Sequence, residues 1–231
     1  METTKTKEHI DGLSIFFIEI YGLFTLALIV SCLASWLTVK YYNGFNNLID
    51  KSPLLSLLAI IGVVFFSSGL HYGKERSCIV GVSLLLACSF CTGVVFSYCS
   101  FKYTDINVTI AFLSACIEFA VCTTLGLIKQ DLSDYTPQLI AMLISSLVVT
   151  IINLLLKNRL IDLVLSFLGV GVYGFLSMYE VNMLKNNYLK YHDSVRRGWI
   201  VSVAALDLFY AFVNIFLNIL SILDPDAEND D

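Results

Sequence analysis

Residues 199–222 read WIVSVAALDLFYAFVNIFLNILSI, and this stretch contains one charged side chain, that of Asp207. An α-helix rises about 1.5 Å per residue and the hydrocarbon core of a bilayer is about 30 Å thick, so about 20 apolar residues cross it. An acid inside such a span is costly and usually marks function. The stretch therefore predicts a membrane-spanning helix that carries a candidate functional residue.

The remainder of the chain repeats this apolar pattern. Of 231 residues, 57% are hydrophobic and 14% are charged, whereas soluble domains carry about 25% charged residues. The apolar runs are continuous rather than alternating, which excludes a transmembrane β-barrel. We predict an all-α membrane protein, a bundle of seven transmembrane helices at residues 15–38, 54–72, 79–100, 106–128, 137–156, 160–181 and 199–222.

The segments outside the spans complete the predicted organisation. Residues 1–14 form a polar N-terminal segment, residues 15–222 the seven-helix domain, and residues 223–231 an acidic disordered tail. The first apolar run is too long for a signal peptide, so we interpret it as a retained span. Nine basic residues against five favour a multi-pass topology with a cytoplasmic N-terminus. The chain has no basic patch for nucleic acid, and the pattern does not indicate which membrane holds it.

Cysteine and histidine usage argues against an enzyme or a bound cofactor. The seven cysteines lie mostly inside apolar runs, and we interpret Cys88 and Cys91 as small packing residues because no histidine or second cysteine pair accompanies them. The three histidines lie at span ends or in polar segments. No nucleophile–base or metal-ligand motif emerges, so we predict no catalytic residue and no cofactor.

Acidic residues within the spans are the most informative feature. Glu19, Glu118, Glu180 and Asp207 fall within or at the edges of predicted spans, and no Lys or Arg lies deep in any span. Such carboxyls must be protonated, bind a cation or reach water. Glu19 is close enough to the start of its span to reach the interface. Glu118 is either a hydrogen-bonded packing carboxyl or, with Asn214, part of an ion path.

Glu180 and Asp207 are predicted to form a pair. Helical spacing places each on a stripe of small and polar residues, which favours helix contact in lipid: Ser166, Gly169, Tyr173, Ser177 and Glu180 on one helix, and Asp207, Ala211, Asn214, Asn218 and Ser221 on the next. If the stripes face each other, the two acids share a proton or bind calcium weakly and set a pH-sensitive gate. The alternative is that both acids face water separately.

Several segments in order resemble the transmembrane Bax inhibitor motif family. The resemblance covers most of the chain and rests on residues 17–23, 92–104, 111–115, 129–133, 173–180 and 205–217. It implies six helices around a central seventh, a calcium leak gated by pH through acids of the last two helices, and suppression of cell death. The partners it implies are the lipid bilayer, calcium as the transported ion, protons and other membrane proteins.

The chain departs from the family pattern at the acids. Glu180 stands where the family has Asp after Tyr, and Ala211 stands where the final span usually has its Asp. Asp207 lies four residues earlier on the same face, which displaces the carboxyl by about 6 Å. The second span also lacks an Arg or Glu to pair with these acids.

Three functions fit these residues. The first is a pH-sensitive calcium leak channel, and the second is a non-conducting membrane interaction protein that modulates stress or death signalling. A proton-coupled solute transporter is less favoured, because the chain shows neither clear internal repeats nor helices broken by Gly or Pro.

Overall fold

The computed structural model describes residues 2–41, 54–72, 77–156, 158–192 and 197–223, and these residues are mostly helical with no strand among them. The helices are α1 Glu2–Tyr41, α2 Leu54–Tyr72, α3 Cys78–Lys102, α4 Asp105–Ile128, α5 Thr136–Leu156, α6 Arg159–His192 and α7 Arg197–Leu223, with a 3₁₀ turn at Ser133–Tyr135 before α5. Each predicted span lies inside one of these helices.

Two helices are longer than predicted. The polar segment 1–14 is helical from Glu2 onward as part of α1, and α6 continues to His192, well beyond residue 181. The extension of α6 is amphipathic, with Val181, Leu184 and Tyr188 buried on one face. A prediction from hydropathy alone ends the helix where the polar residues begin, so it does not detect this buried face. Of the predicted acidic tail, only Leu223 falls within the described residues.

The helices identify a multi-pass integral membrane protein. Six are long and apolar enough to cross a bilayer, and the seventh, α2, has a shorter apolar stretch at Ile61–His71 among its described residues. In α7, 67% of the apolar window is buried, compared with 6–33% in the other five long helices. The final helix is therefore the one with the least surface left for lipid.

The chain divides into two compact units, Met1–Phe101 with Asn187–Phe209, and Lys102–Asn186 with Tyr210–Asp231. In the first unit, α2 and α3 pack antiparallel. A Cβ added to Gly62 would meet the Cys91 side chain, and one added to Gly69 would meet Leu84. This register confirms that these sequence neighbours are antiparallel.

Further helices of the first unit pack closely against each other at small residues. A Cβ on Gly93 of α3 would overlap the carbonyl oxygen of Ser31 on α1, and a Cβ on Gly198 of α7 would lie 2.5 Å from Cβ of Cys78 on α3. Small residues allow such approach, which is the main source of helix association in lipid.

The second unit combines a glycine contact with aromatic packing. A Cβ on Gly126 of α4 would overlap the carbonyl oxygen of Met178 on α6. The ring of Phe212 on α7 meets Phe112 and Phe119 of α4 edge-on, with centroids 5.7 Å apart in both pairs. Such edge-to-face pairs add to the stability given by area burial alone.

Replacing Gly93 by Ala is expected to destabilise the protein. The added methyl group meets backbone rather than a flexible side chain, so α1 and α3 must separate, and overpacking of this kind costs about 1–3 kcal/mol. Thermal unfolding in detergent measures the loss as a lower Tm.

Gly171→Ala is the matched control, because a Cβ at Gly171 has no atom within 4 Å. Alanine favours a helix over glycine by about 1 kcal/mol, so this variant should melt at the wild-type temperature or above. Equal destabilisation by both substitutions would contradict the close-approach account of Gly93.

Candidate functional site

An acid–imidazole pair joins α2 to α7 in the first unit. Nε2 of His71 lies 2.9 Å from Oδ1 of Asp207, and Nδ1 of His71 lies 3.1 Å from the carbonyl oxygen of Ser67, one turn earlier in α2. The two side chains are partly exposed, His71 at 39% and Asp207 at 29%. Both ring nitrogens therefore face oxygen atoms.

The number of N–H groups on the ring decides how many of these contacts are hydrogen bonds. Carbonyl and carboxylate oxygens only accept, so a doubly protonated ring donates to both Ser67 and Asp207. A neutral ring has a single N–H and donates to one of the two, according to its tautomer. The geometry accommodates an imidazolium beside the two oxygen atoms.

A second ion pair lies in the same unit. Nη2 of Arg197, the first residue of α7, donates to Oε1 of Glu19 on α1 at 3.0 Å. Glu19 and Asp207 thus each have a basic neighbour, although no Lys or Arg lies deep in a span: Arg197 is at the start of its span, and the neighbour of Asp207 is a histidine. Glu19 is the residue expected to reach the interface, and Arg197 holds it at that end of α7.

Sequence reasoning missed the His71 contact, although the sequence contains a signal for it. His71 lies at the C-terminal end of the second span, just before the turn into the third span. Asp207 lies ten residues after the start of the last helix. A search limited to Arg and Glu in the second span omits histidine, although histidine changes charge between about pH 5 and 8.

The predicted stripes on α6 and α7 do face each other within the second unit. The hydroxyl of Ser166 donates to the hydroxyl of Ser221 at 3.0 Å, and a Cβ on Gly169 would overlap the amide of Asn218. Glu180 is half-buried on α6 in this unit, whereas Asp207 belongs to the first. The pairing of the two acids stays a prediction.

Glu118 packs between α4 and α6. The thiol of Cys122, one turn along α4, donates to Oε1 of Glu118 at 3.4 Å. A Cβ on Gly174 of α6 would lie 2.9 Å from the same carboxylate oxygen. Gly174 has no side chain, so the carboxyl of Glu118 fits between the two helices. This geometry agrees with the interpretation of Glu118 as a hydrogen-bonded packing carboxyl.

Asn214, the other ion-path candidate, uses its amide hydrogens locally. Its Nδ2 donates to the carbonyl oxygen of Tyr210 at 2.7 Å, within α7. The side chain is half-buried. Its role in an ion path stays a prediction.

A buried asparagine of α6 forms hydrogen bonds with the C-terminal end of α4, which is predicted to face the cytoplasm, and with the loop that follows it. Oδ1 of Asn182 accepts from the backbone N–H of Leu132 at 2.9 Å, and Nδ2 donates to the carbonyl oxygens of Gly126 at 3.0 Å and Gln130 at 2.7 Å. Asn182 is fully buried. It satisfies carbonyls at the end of a helix that have no partner inside the helix.

Asp131 in the same loop, outside the spans, is held as a carboxylate. The backbone N–H of Ser133 donates to its Oδ1 at 2.9 Å, and this hydrogen bond, with the Ser133 hydroxyl, Asn186 and Lys185, lowers the pKa of Asp131. A lowered pKa contributes stability that is present above the pKa of the unfolded chain, about 3.9. That contribution is lost as the pH falls through the lower folded value.

The two neighbouring cysteines of α3 pack against α2. The thiol of Cys88 is buried and donates to the carbonyl oxygen of Val63 at 3.7 Å, and Cys91 lies beside Gly62. Both are free thiols. Their interpretation as packing residues is confirmed. In the described part of the chain, no three His, Cys, Asp or Glu side chains converge to hold a metal ion.

Known proteins match nearly the whole chain. The family model described as "Inhibitor of apoptosis-promoting Bax1" matches residues 13–228. An uncharacterized membrane protein of Streptococcus pyogenes serotype M6 is 28% identical over 216 residues, which cover 91% of this chain and 93% of the relative. Inner membrane protein YbhL of Escherichia coli is 24% identical over 216 residues, with coverage of 91% and 92%. The relatives named as membrane proteins agree with the apolar helices.

Asn182→Leu is expected to destabilise the α4 end strongly. The substitution leaves buried carbonyls and one N–H without partners, and each such group costs about 1–3 kcal/mol. Limited proteolysis at residues 129–132 should be faster, and Tm should fall.

Gln130→Ala is the control, since the Gln130 side chain is exposed in the same loop and the substitution keeps the backbone carbonyl that accepts from Asn182. We expect its Tm to stay close to the wild-type value, because exposed substitutions usually change stability by less than about 0.5 kcal/mol. A wild-type proteolysis rate for Asn182→Leu would contradict the role of Asn182.

Proposed function

The chain belongs to the family described as "Inhibitor of apoptosis-promoting Bax1", and from this premise we propose that it is a cation leak channel, calcium among its ions, whose conductance follows the proton on His71 and Asp207. The observation that carries the proposal is the hydrogen bond between these two side chains, which joins α2 to α7. Because histidine changes charge between about pH 5 and 8, this contact gives the two helices a pH-dependent connection.

The proposed architecture is a bundle of seven spans with the final helix at its centre and the N-terminus in the cytoplasm. The high burial of α7 supports a central position. The excess of basic residues in the segments assigned to the inner side supports the orientation. A titrating contact on the central helix acts on the element that every other helix surrounds.

The direction of the pH response follows from the contact. Below the range in which histidine loses its proton, imidazolium and carboxylate attract each other and the contact is complete. As the pH rises through that range, the ring loses its charge and one of its two N–H donors, so its attraction to the Asp207 carboxylate weakens. We therefore propose that the leak is lowest when the pair is protonated and rises towards alkaline pH.

Carboxylates supply the chemistry for a calcium path. Asp207, Glu180 and Glu118 offer hard oxygen atoms, the ligands that calcium prefers. One or two carboxylates bind calcium weakly, and weak binding suits an ion that must leave again. The predicted pairing of Glu180 with Asp207 belongs to this proposed path.

A second candidate is a non-conducting membrane protein that binds other membrane proteins and modulates stress or death signalling. The observation that favours it is Ala211, which replaces the acid of the family pattern and is fully buried. The neighbouring Phe212 and Ile215 are buried as well. At this level of α7 the packing is apolar, which suits a scaffold better than an ion path.

Calcium flux into liposomes across about pH 5 to 8, with the same buffer on both sides, tests the channel. Wild-type leak should rise a few-fold to about tenfold with pH, since a charged hydrogen bond contributes about 1.5–3 kcal/mol before its partial exposure is discounted. His71→Gln keeps a donor to Asp207 but does not titrate, so its leak should be low and independent of pH.

A mutant cycle and a control separate the pair from general effects. Asp207→Asn and the double variant His71→Gln/Asp207→Asn should lose the pH response alike, because the two residues act as one unit. Glu180→Gln tests the predicted acid pair, and Asp105→Asn, an exposed acid at the start of α4, should match wild type. A wild-type pH response in His71→Gln would contradict the sensor, and no leak above empty liposomes with inserted protein would favour the second candidate.

A further inference from the structure

A cavity of about 520 Å³ lies beside the Glu19–Arg197 ion pair in the first unit. Its lining is aliphatic except at three side chains, those of Glu19, Arg197 and Cys78. Two of its lining residues, Ile18 and Cys78, are exposed, so the cavity is open to the surroundings. The space is large enough for a small polar group with part of an apolar chain.

Gly22 makes part of this space. It lines the cavity, and a Cβ at this position would have no atom within 4 Å. Gly22 therefore differs from Gly93 and Gly198, where a neighbouring helix occupies the room that glycine leaves. No described protein atom fills the volume beside Gly22.

The two charges in the lining have opposite sign and use only part of their hydrogen-bonding capacity. Arg197 donates through Nη2 to Oε1 of Glu19 at 3.0 Å, and its buried Nε has no hydrogen-bond partner among the residues that the structure describes. The side chains are 28% and 45% exposed, respectively. A guanidinium has five N–H donors and a carboxylate has two acceptor oxygens, so both can take a further partner. A ligand that complements both must itself carry an anion and a cation.

The cavity adjoins the beginnings of three candidate spans, and the ends of spans are where lipid headgroups lie. Arg197 and Cys78 are the first residues of the membrane-spanning stretches of α7 and α3. Glu19 lies seven residues after the start of its span at Gly12, about 10 Å along the helix. The aliphatic part of the lining, with Leu23, Val82 and Val201, suits an acyl chain beside such a headgroup.

We propose that this cavity binds a phospholipid whose headgroup carries both a phosphate and a primary ammonium. The phosphate accepts hydrogen bonds from Arg197, and the ammonium donates to Glu19. The lipid chain lies along the aliphatic lining. An anionic phospholipid without the amine meets the Glu19 carboxylate unfavourably, and a trimethylammonium headgroup has no N–H to donate. This binding is independent of ion conduction.

Native mass spectrometry of the detergent-purified full chain tests the proposal. The probes are phosphatidylethanolamine, phosphatidylcholine and phosphatidylglycerol with identical acyl chains, and the soluble headgroup glycerophosphoethanolamine. We expect phosphatidylethanolamine to be retained about tenfold better than either of the other two lipids. A tenfold difference in affinity is what the loss of one charged hydrogen bond produces. Binding of the soluble headgroup without the lipid would overturn the lipid as the source.

Variants locate the binding in this cavity. Glu19→Gln should reduce the preference for phosphatidylethanolamine over phosphatidylglycerol, and Arg197→Gln should reduce retention of all three lipids. Gly22→Leu fills the open space while keeping both charged side chains and should abolish retention, whereas Gly171→Leu, at another open glycine, should leave it unchanged. Equal retention of the three lipids by wild type, or unchanged retention in Gly22→Leu and Arg197→Gln, would overturn the proposal.

Discussion

A charge inside a membrane must have a partner, a proton or water, and this constraint governs the polar residues of the protein. Asp207 lies against His71, and Glu19 is paired with Arg197. The Glu19–Arg197 pair has no net charge, and the His71–Asp207 pair has none when the ring is protonated, so each can be held near lipid. The two differ in one respect, because guanidinium stays charged at every physiological pH and imidazole does not. The neutrality of the His71–Asp207 pair is therefore conditional on pH.

The helices that carry these pairs are fixed by contacts that do not titrate. Glycines allow backbone contact at Gly93 with Ser31 and at Gly126 with Met178, and aromatic edges meet around Phe212. Asn182 satisfies the end of α4 with hydrogen bonds to uncharged groups. Because these contacts do not titrate, a change at His71 alters its own connection without loosening them. This separation is what a local proton-dependent element requires.

Much of the architecture could be predicted from the sequence, since lipid imposes long apolar runs that hydropathy detects directly. The facing stripes on α6 and α7 could be predicted as well, because small and polar residues at helical spacing in a membrane are typical of helix contact. The extension of α6 could not be found that way, as its buried face at Val181, Leu184 and Tyr188 is set among polar residues. Contacts between residues that are distant in sequence are harder still to predict. His71 and Asp207 are 136 residues apart, and only the packing of α2 against α7 brings them together.

The proton on the His71–Asp207 pair is the claim on which the proposed gating depends. Nitrogen-15 NMR of the histidine-labelled protein in lipid bilayers, with His71→Gln to assign the signal, measures it directly. At about pH 7, where a free histidine is mostly neutral, the account predicts that both ring nitrogens of His71 carry hydrogen and that Asp207→Asn removes the charge. A neutral His71 ring with a bare Nε2 in the wild-type protein, unchanged by Asp207→Asn, would contradict it.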